Sequence, residues 1–220
     1  MTVGTPASGR VVSRTALLVI FVAAFAALGA ATTKVPSLDL LSRAVEPNPT
    51  LQSYIATASL AATLHAPVPV HKTFNGKCYY LKPQRKIVFE NVSGPLSRFK
   101  ELASETPSFQ ELTLNYTITP LEDDGTVSTY NLVPKKSGSR VAAVKVTVDD
   151  TTALASRLEW SYTNGGTLRA DQTYTTVGSF HVIDAEVLSA RFPDYSVDGR
   201  LTFSNYELNA AVDPSIFSTK

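Results

Sequence analysis

A mainly-β protein, made of one strongly curved antiparallel sheet with one or two short helices plugging its concave face, is the fold class this sequence predicts. Three observations lead there. Turn residues recur every ~8–12 positions and separate roughly nine to eleven strand-like runs, the spacing of all-β folds. Within those runs apolar and polar residues alternate with period two, so each run has one face to bury. Only two segments read as helix, too few to cover both faces of such a sheet. Antiparallel sheets commonly pack one face and wet the other, so the apolar face must curl over on itself.

The first 31 residues stand apart from this pattern. Arg10 and Arg14 precede an uncharged apolar run, Thr15 to Ala31, that ends in the small residues Gly29-Ala30-Ala31. A basic start, an apolar centre and a small-residue end read as a secretory signal. The run is somewhat short for a membrane span, which takes about 20 apolar residues; an uncleaved N-terminal anchor is the alternative. Either way the domain is expected outside the cytoplasm, and in a bacterial envelope in the periplasm. Residues 32–50 read as a spacer holding a short helix, with Ser37 as its cap and Leu38 to about Val45 as its body. Glu46-Pro47-Asn48-Pro49 stops it, because proline removes a donor and restricts the residue before it.

The domain proper is expected over 51–220. From Leu51 to His65 the alanines favour helix, but the hydroxyls fall in period two. Thr57, Ser59, Thr63 and His65 share one face, and Tyr54, Ala56, Ala58, Leu60, Ala62 and Leu64 the other. The reading is a long strand. Lys77–Leu81 and Lys86–Val92 are strand-like and broken at Lys82-Pro83-Gln84. A helix is expected within Pro95–Glu105, where Leu96, Phe99, Lys100 and Leu102 lie near helical spacing. Leu112, Leu114, Tyr116 and Ile118 then alternate with Thr113, Asn115, Thr117 and Thr119 as a strand. Further strands follow at Val127–Pro134, Val141–Asp149, Phe180–Phe192 and Val197–Val212. Between them, residues 158–174 fold back at Asn164-Gly165-Gly166, a hairpin that puts Leu158, Trp160 and Tyr162 on one side.

The chain has 220 residues, 44% hydrophobic and 18% charged, which suits one globular domain after a leader. Its formal charge is +1, and the part beyond the two leader arginines is slightly acidic. A balanced surface with no run of five like charges argues against nucleic acid as a partner. Cys78 is the only cysteine, so no internal disulfide can form, and it reads as a half-buried apolar residue on a strand. No GxSxG, HExxH, GxxxxGK[ST] or CxxC motif occurs. Of the three histidines, His65, His71 and His181, the first two are separated by Pro67 and Pro69 with no carboxylate at ligand spacing. Zinc needs three or four convergent donors, so the three read as solvated or satisfied histidines at strand ends. Asp149-Asp150 and Glu122-Asp123-Asp124 sit where strands enter turns, a place aspartate favours because it bonds its own backbone. No catalytic residue, metal site or cofactor is therefore expected.

The order of segments FNGKCYYLKPQRKIVFEN, YNLVPKK, VKVTVDDTTALASRLEWSYTNGGTLRADQTY and LTFSNYELNAAVDPSIF resembles the LolA-like superfamily of bacterial extracytoplasmic lipoprotein carriers. The shared beats are a turn from Tyr80 to Pro83, an exit at Leu132-Val133-Pro134-Lys135, and a closing Pro214 to Phe217. The resemblance covers about residues 37–220. It implies an open half-barrel whose apolar hollow binds acyl chains of a lipid or lipid-modified protein without covalent chemistry. Leu112, Leu114, Tyr116, Ile118, Val144, Val146, Leu158, Trp160 and Tyr162 are the residues expected to line that hollow. The founding carriers hold a lid with a strand arginine; here Arg157, Arg169 and Arg191 all qualify and the sequence does not choose among them. They also open with a longer helix than Pro47 and Pro49 allow. Relatives of the fold act as regulators too, so an envelope module that binds a protein partner is the competing expectation. An unfilled hollow favours the carrier; a filled core with an exposed apolar patch or sheet edge favours the module.

Overall fold

The computed structural model describes residues 35–65, 69–90, 92, 101–105 and 107–218, and these fold around one antiparallel sheet. The expected leader lies outside the described residues, and among those described no helix is long and apolar enough to cross a membrane. The chain opens with helix α1 (Leu38–Val45), capped by the Ser37 hydroxyl, which accepts a hydrogen bond from the Asp39 N–H at 3.2 Å. Leu40, Leu41 and Ala44 form its buried stripe. Eleven strands follow: β1 (Ser53–His65), β2 (Val70–Leu81), β3 (Gln84–Phe89), β4 (Glu101–Glu105), β5 (Tyr116–Asp123), β6 (Val127–Pro134), β7 (Val141–Asp149), β8 (Leu154–Tyr162), β9 (Thr167–Val177), β10 (Phe180–Phe192) and β11 (Tyr195–Leu208). A second helix, α2 (Phe109–Asn115), precedes β5, and Pro214–Phe217 forms a closing 3-10 turn.

The strand order is β4-β3-β2-β1-β11-β10-β9-β8-β7-β6-β5. The chain therefore starts in the middle of the sheet and meanders to the β4 edge. It crosses to the β5 edge through α2, then meanders back until β11 pairs with β1. β4 and β5 are the two edges and do not pair, so the sheet is not closed into a barrel. The period-two reading of β1 holds: Tyr54, Ala56, Ala58 and Leu60 are buried while Thr57 is exposed. The hairpin turn after β8 forms where Asn164-Gly165-Gly166 placed it. The Tyr162 N–H donates to the Gly166 carbonyl at 2.9 Å, and Gly165 takes a φ of +82° that glycine adopts without strain.

Two expectations are overturned in the stretch between β3 and β5. Residues 101–105, the last part of the helix expected over Pro95–Glu105, are strand β4, paired with β3 through Leu102 and Ile87. Cross-strand pairing here outweighs local helical spacing; residues 95–100 lie outside the described residues. Helix instead forms over Phe109–Asn115, where the alternation of Leu112 and Leu114 predicts strand. A capping box nucleates it: the Glu111 N–H donates to the Ser108 hydroxyl, and Glu111 Oε2 accepts from the Ser108 N–H at 2.8 Å. At about 100° per residue, positions two apart on a helix point nearly opposite ways. So Leu112 is buried at 7% exposure and Leu114 is 65% exposed. Only Tyr116 and Ile118 of that run are on a strand. Smaller shifts occur at strand ends: β2 begins earlier than expected, at Val70, and β11 ends earlier, before Asn209 at φ +54°.

The apolar face carries two buried clusters. One joins Leu41 and Ala44 of α1 and Leu112 of α2 to Tyr130, Leu132, Val144, Val146 and Val148. The Tyr130 hydroxyl ties it to the helix start by donating to the Ser37 carbonyl at 2.6 Å. The other holds Tyr54, Ala56, Ala58, Leu60, Cys78, Ile87, Phe89, Leu201 and Phe203. Both short helices thus plug the β6–β8 half of the concave face, leaving the space between the clusters to be accounted for.

Candidate functional site

That space is a cavity of about 810 Å³ on the concave face. Its wall takes at least one side chain from each of the eleven strands and from both helices. Of the residues expected to line a hollow, Leu112, Tyr116, Val144, Val146, Leu158 and Trp160 border it. Ile118 packs against the core cluster beside α1 and α2. Tyr162 lies at the end of β8, its ring 5.3 Å from Phe192. Leu114 is on the outer side of α2, for the helical reason given above. The apolar side of the 158–174 hairpin faces the hollow through Leu158, Trp160, Leu168 and Ala170.

The wall also holds a polar group of side chains that the sequence did not single out. Arg85 of β3 and Glu186 of β10 meet at 3.3 Å, with side chains 20% and 6% exposed. Four strand spacings separate β3 from β10, roughly 19 Å along a flat sheet at about 4.8 Å each. Only an inward curl lets the two side chains touch, so this contact is a direct measure of the curvature. Arg85 Nε donates to the Ser104 hydroxyl of β4 at 3.3 Å, and its guanidinium lies 5.9 Å from the centre of the Phe203 ring. Glu186 Oε1 also accepts from Gln172 Nε2 at 2.8 Å. The Tyr174 hydroxyl completes the chain, 2.9 Å from Gln172 Oε1 and 3.0 Å from the Ala155 carbonyl.

Electrostatics follow from burial. Burial pulls the Arg85 guanidinium down, but the neighbouring Glu186 carboxylate, by charge and hydrogen bond, together with Tyr54 and Cys78 holds it above its ordinary value. Burial pushes the Tyr174 phenol up, and the charge of Glu186 adds to the effect. Tyr54 and Tyr206, which pack edge to face at 5.2 Å, are raised for the same first reason. Breaking a buried ion pair by removing one partner typically costs about 3–5 kcal/mol, so this cluster sets the shape of the hollow as well as its polarity.

The three arginines that sequence reasoning proposed lie elsewhere. Arg157 and Arg169 both contact Asp171, and Arg191 contacts Asp198; none of the three borders the cavity. Arg85 was legible in principle, because it shares the period-two face of β3 with buried Ile87 and Phe89. A charge on an apolar parity is the signal. Cys78 is fully buried rather than half-buried, and burial pushes its thiol up to about 11. His65 bonds Asp198 at 2.8 Å and His71 lies 2.9 Å from the Thr63 hydroxyl. The acidic pairs do turn chemistry: Asp149 Oδ1 accepts from the Thr151 and Thr152 N–H groups, and Asp124 Oδ1 from those of Thr126 and Val127. Among the described residues no three His, Cys, Asp or Glu side chains converge as a metal site would need.

A single antiparallel sheet curled around an apolar hollow, open at both edges and plugged among the described residues by two short helices, defines a half-barrel fold. The fold is that of the LolA superfamily, as comparison with solved structures shows. The LolA superfamily protein NE2245 of Nitrosomonas europaea superposes with a TM-score of 0.56 at 11% identity, over 84% of this chain and 99% of that one. A structure from Vibrio parahaemolyticus, described as an outer membrane lipoprotein-sorting protein domain, gives 0.57 at 12% identity, over 82% and 95%. A DUF1329 family protein of Desulfovibrio piger gives 0.50 at 11% identity, over 82% and 95%. No family model matches the sequence, and no curated protein matches it significantly.

Proposed function

We propose that this protein is an extracytoplasmic carrier or binding protein that holds acyl chains of a lipid or lipid-modified protein in its hollow. The observation that carries the reading is the unfilled cavity of about 810 Å³, walled by every strand of the sheet. Ligand pockets commonly measure about 300–1,000 Å³, and mostly apolar walls suit an aliphatic guest. Burial is worth roughly 0.8 kcal/mol per methylene, so a C16 chain supplies on the order of ten kcal/mol before ordering costs. That suffices for retention without any catalytic residue. The competing module that binds a protein partner is expected to have a filled core, and the hollow weighs against it. The similarity to a lipoprotein-sorting domain adds support at the level of fold.

Native mass spectrometry of the chain, isolated from a bacterial periplasm without detergent, tests this. Bound mass that organic extraction identifies as fatty acid, phospholipid or lipoprotein is expected. Trp160→Ala should retain several-fold less of it, because the indole is part of the wall. A clean apo mass, with Trp160 fluorescence unmoved by added lipid, moves the reading to a protein-binding module.

A further inference from the structure

The hollow of an acyl carrier gains affinity from apolar wall, and a buried ion pair within it is costly to desolvate. Arg85 and Glu186 are nevertheless in that wall, and not at its rim. Glu186 lies in the middle of β10, opposite Gln172 on β9 and Leu201 on β11. Arg85 has five N–H donors; Nε is used by Ser104 and one on Nη2 by Glu186. Among the described residues the other guanidinium donors have no hydrogen-bond acceptor and are available to an acceptor atom inside the hollow. The Tyr174 hydroxyl spends its one proton on the Ala155 carbonyl or Gln172 Oε1 and so holds Gln172 against Glu186. Yet the positive charge of Arg85 is already matched by Glu186, so the cluster as a whole is neutral and offers hydrogen bonds without net charge.

We propose that Arg85, Glu186, Gln172 and Tyr174 form a polar recognition site within the hollow that selects acyl ligands bearing an uncharged carbonyl acceptor, an ester or amide, over ionised fatty acids. An ester carbonyl accepts from Arg85 without disturbing the pair. A carboxylate at the same place brings a second negative charge beside Glu186, in surroundings that screen it poorly. The rim charges Glu46, Lys82 and Glu111 also border the cavity, and Lys82 pairs with Glu46 at 3.9 Å. The inference rests on reading the hollow as an acyl site.

The test uses Trp160, the only tryptophan of the chain, as reporter. Its quenching by doxyl-labelled stearic acid and by the methyl ester of that acid is titrated at pH 8.5, below micelle-forming concentrations. The ester is expected to bind wild type at least about tenfold tighter. In Glu186→Gln, which keeps an acceptor for Gln172 and Arg85 but frees the arginine's charge, acid affinity should rise about tenfold and the preference reverse. Because that variant leaves an unpaired cation in the wall and can fail to fold, the double variant Arg85→Gln/Glu186→Gln is measured too. There the ester should bind several-fold more weakly than in wild type. Acid binding that is as tight as ester binding in wild type, or no gain of acid affinity in folded Glu186→Gln, or an undiminished ester affinity in the double variant, overturns the proposal and leaves the acyl hollow standing. No binding of either ligand to wild type takes down the acyl reading itself and this proposal with it.

Discussion

Single residues in this protein show how far parity alone carries. Leu158 and Trp160 point into the hollow because they alternate with Glu159 and Ser161, and that much is written in the sequence. Arg85 follows the same rule in the harder direction, a charge on the buried face of QRKIVF, where its neighbours Lys82, Gln84 and Lys86 make it look like part of a wet surface. What explains it is Glu186, 101 positions later, and no local pattern connects the two. Cys78 is simpler. It is fully buried, and burial pushes its thiol up to about 11, so at pH 8 it is both inaccessible and protonated. A maleimide should leave the native chain unlabelled over the time in which the urea-unfolded chain reacts completely at its one thiol. Stoichiometric labelling of native protein would contradict the packing of β1 against β2.

At the scale of elements, strands were legible and the crossing between the sheet's edges was not. β6, β7 and β10 have the bounds their alternation and turn residues predict, since turn chemistry is local. The segment from β3 to β5 fails because two periods overlap in it. Leu112 and Leu114 alternate like a strand, while Ser108 and Glu111 carry the spacing of a capping box, and the cap wins. The pairing of β4 with β3 was out of reach for a different reason: Leu96, Phe99, Lys100 and Leu102 lie near helical spacing, and pairing of 101–105 with the preceding strand outweighs that local signal. Backbone approach matters as much as pattern in β2. A methyl group on Gly76 would collide with the Val88 carbonyl and the Phe89 Cα, so Gly76→Ala must push β3 away. The expected loss is about 1–3 kcal/mol, as for other overpacked sites, read as a lower urea midpoint with an unchanged slope. A midpoint equal to wild type would mean that β3 yields freely.

The molecule as a whole is a sheet that would rather be flat-faced and wet but has one face it must hide. Eleven strands with two short helices cannot hide it by layering, so curling remains, and the hollow is what curling leaves. If that hollow binds an acyl ligand only in the folded state, binding adds stability by mass action. At a free ligand concentration of about 100 times Kd the gain is about 2.7 kcal/mol, a rise in Tm of roughly 5–10 °C for a domain of this size. Differential scanning calorimetry with a lysophospholipid kept below its critical micelle concentration reads this directly. A Tm that stays fixed up to saturation of Trp160 quenching would show that the ligand binds the unfolded chain equally well.

Alternation, turn residues and the shortage of helix determined by themselves that this protein is a curved antiparallel sheet with an apolar inner face, because those signals span only a few residues and each residue's side is decided by its neighbours. Which strands meet across the hollow, that β1 closes against β11, and that an arginine and a glutamate three strands removed from adjacency face each other inside it were decided by tertiary structure alone. These contacts join residues far apart in the chain, and only the curl of the finished sheet brings them within reach.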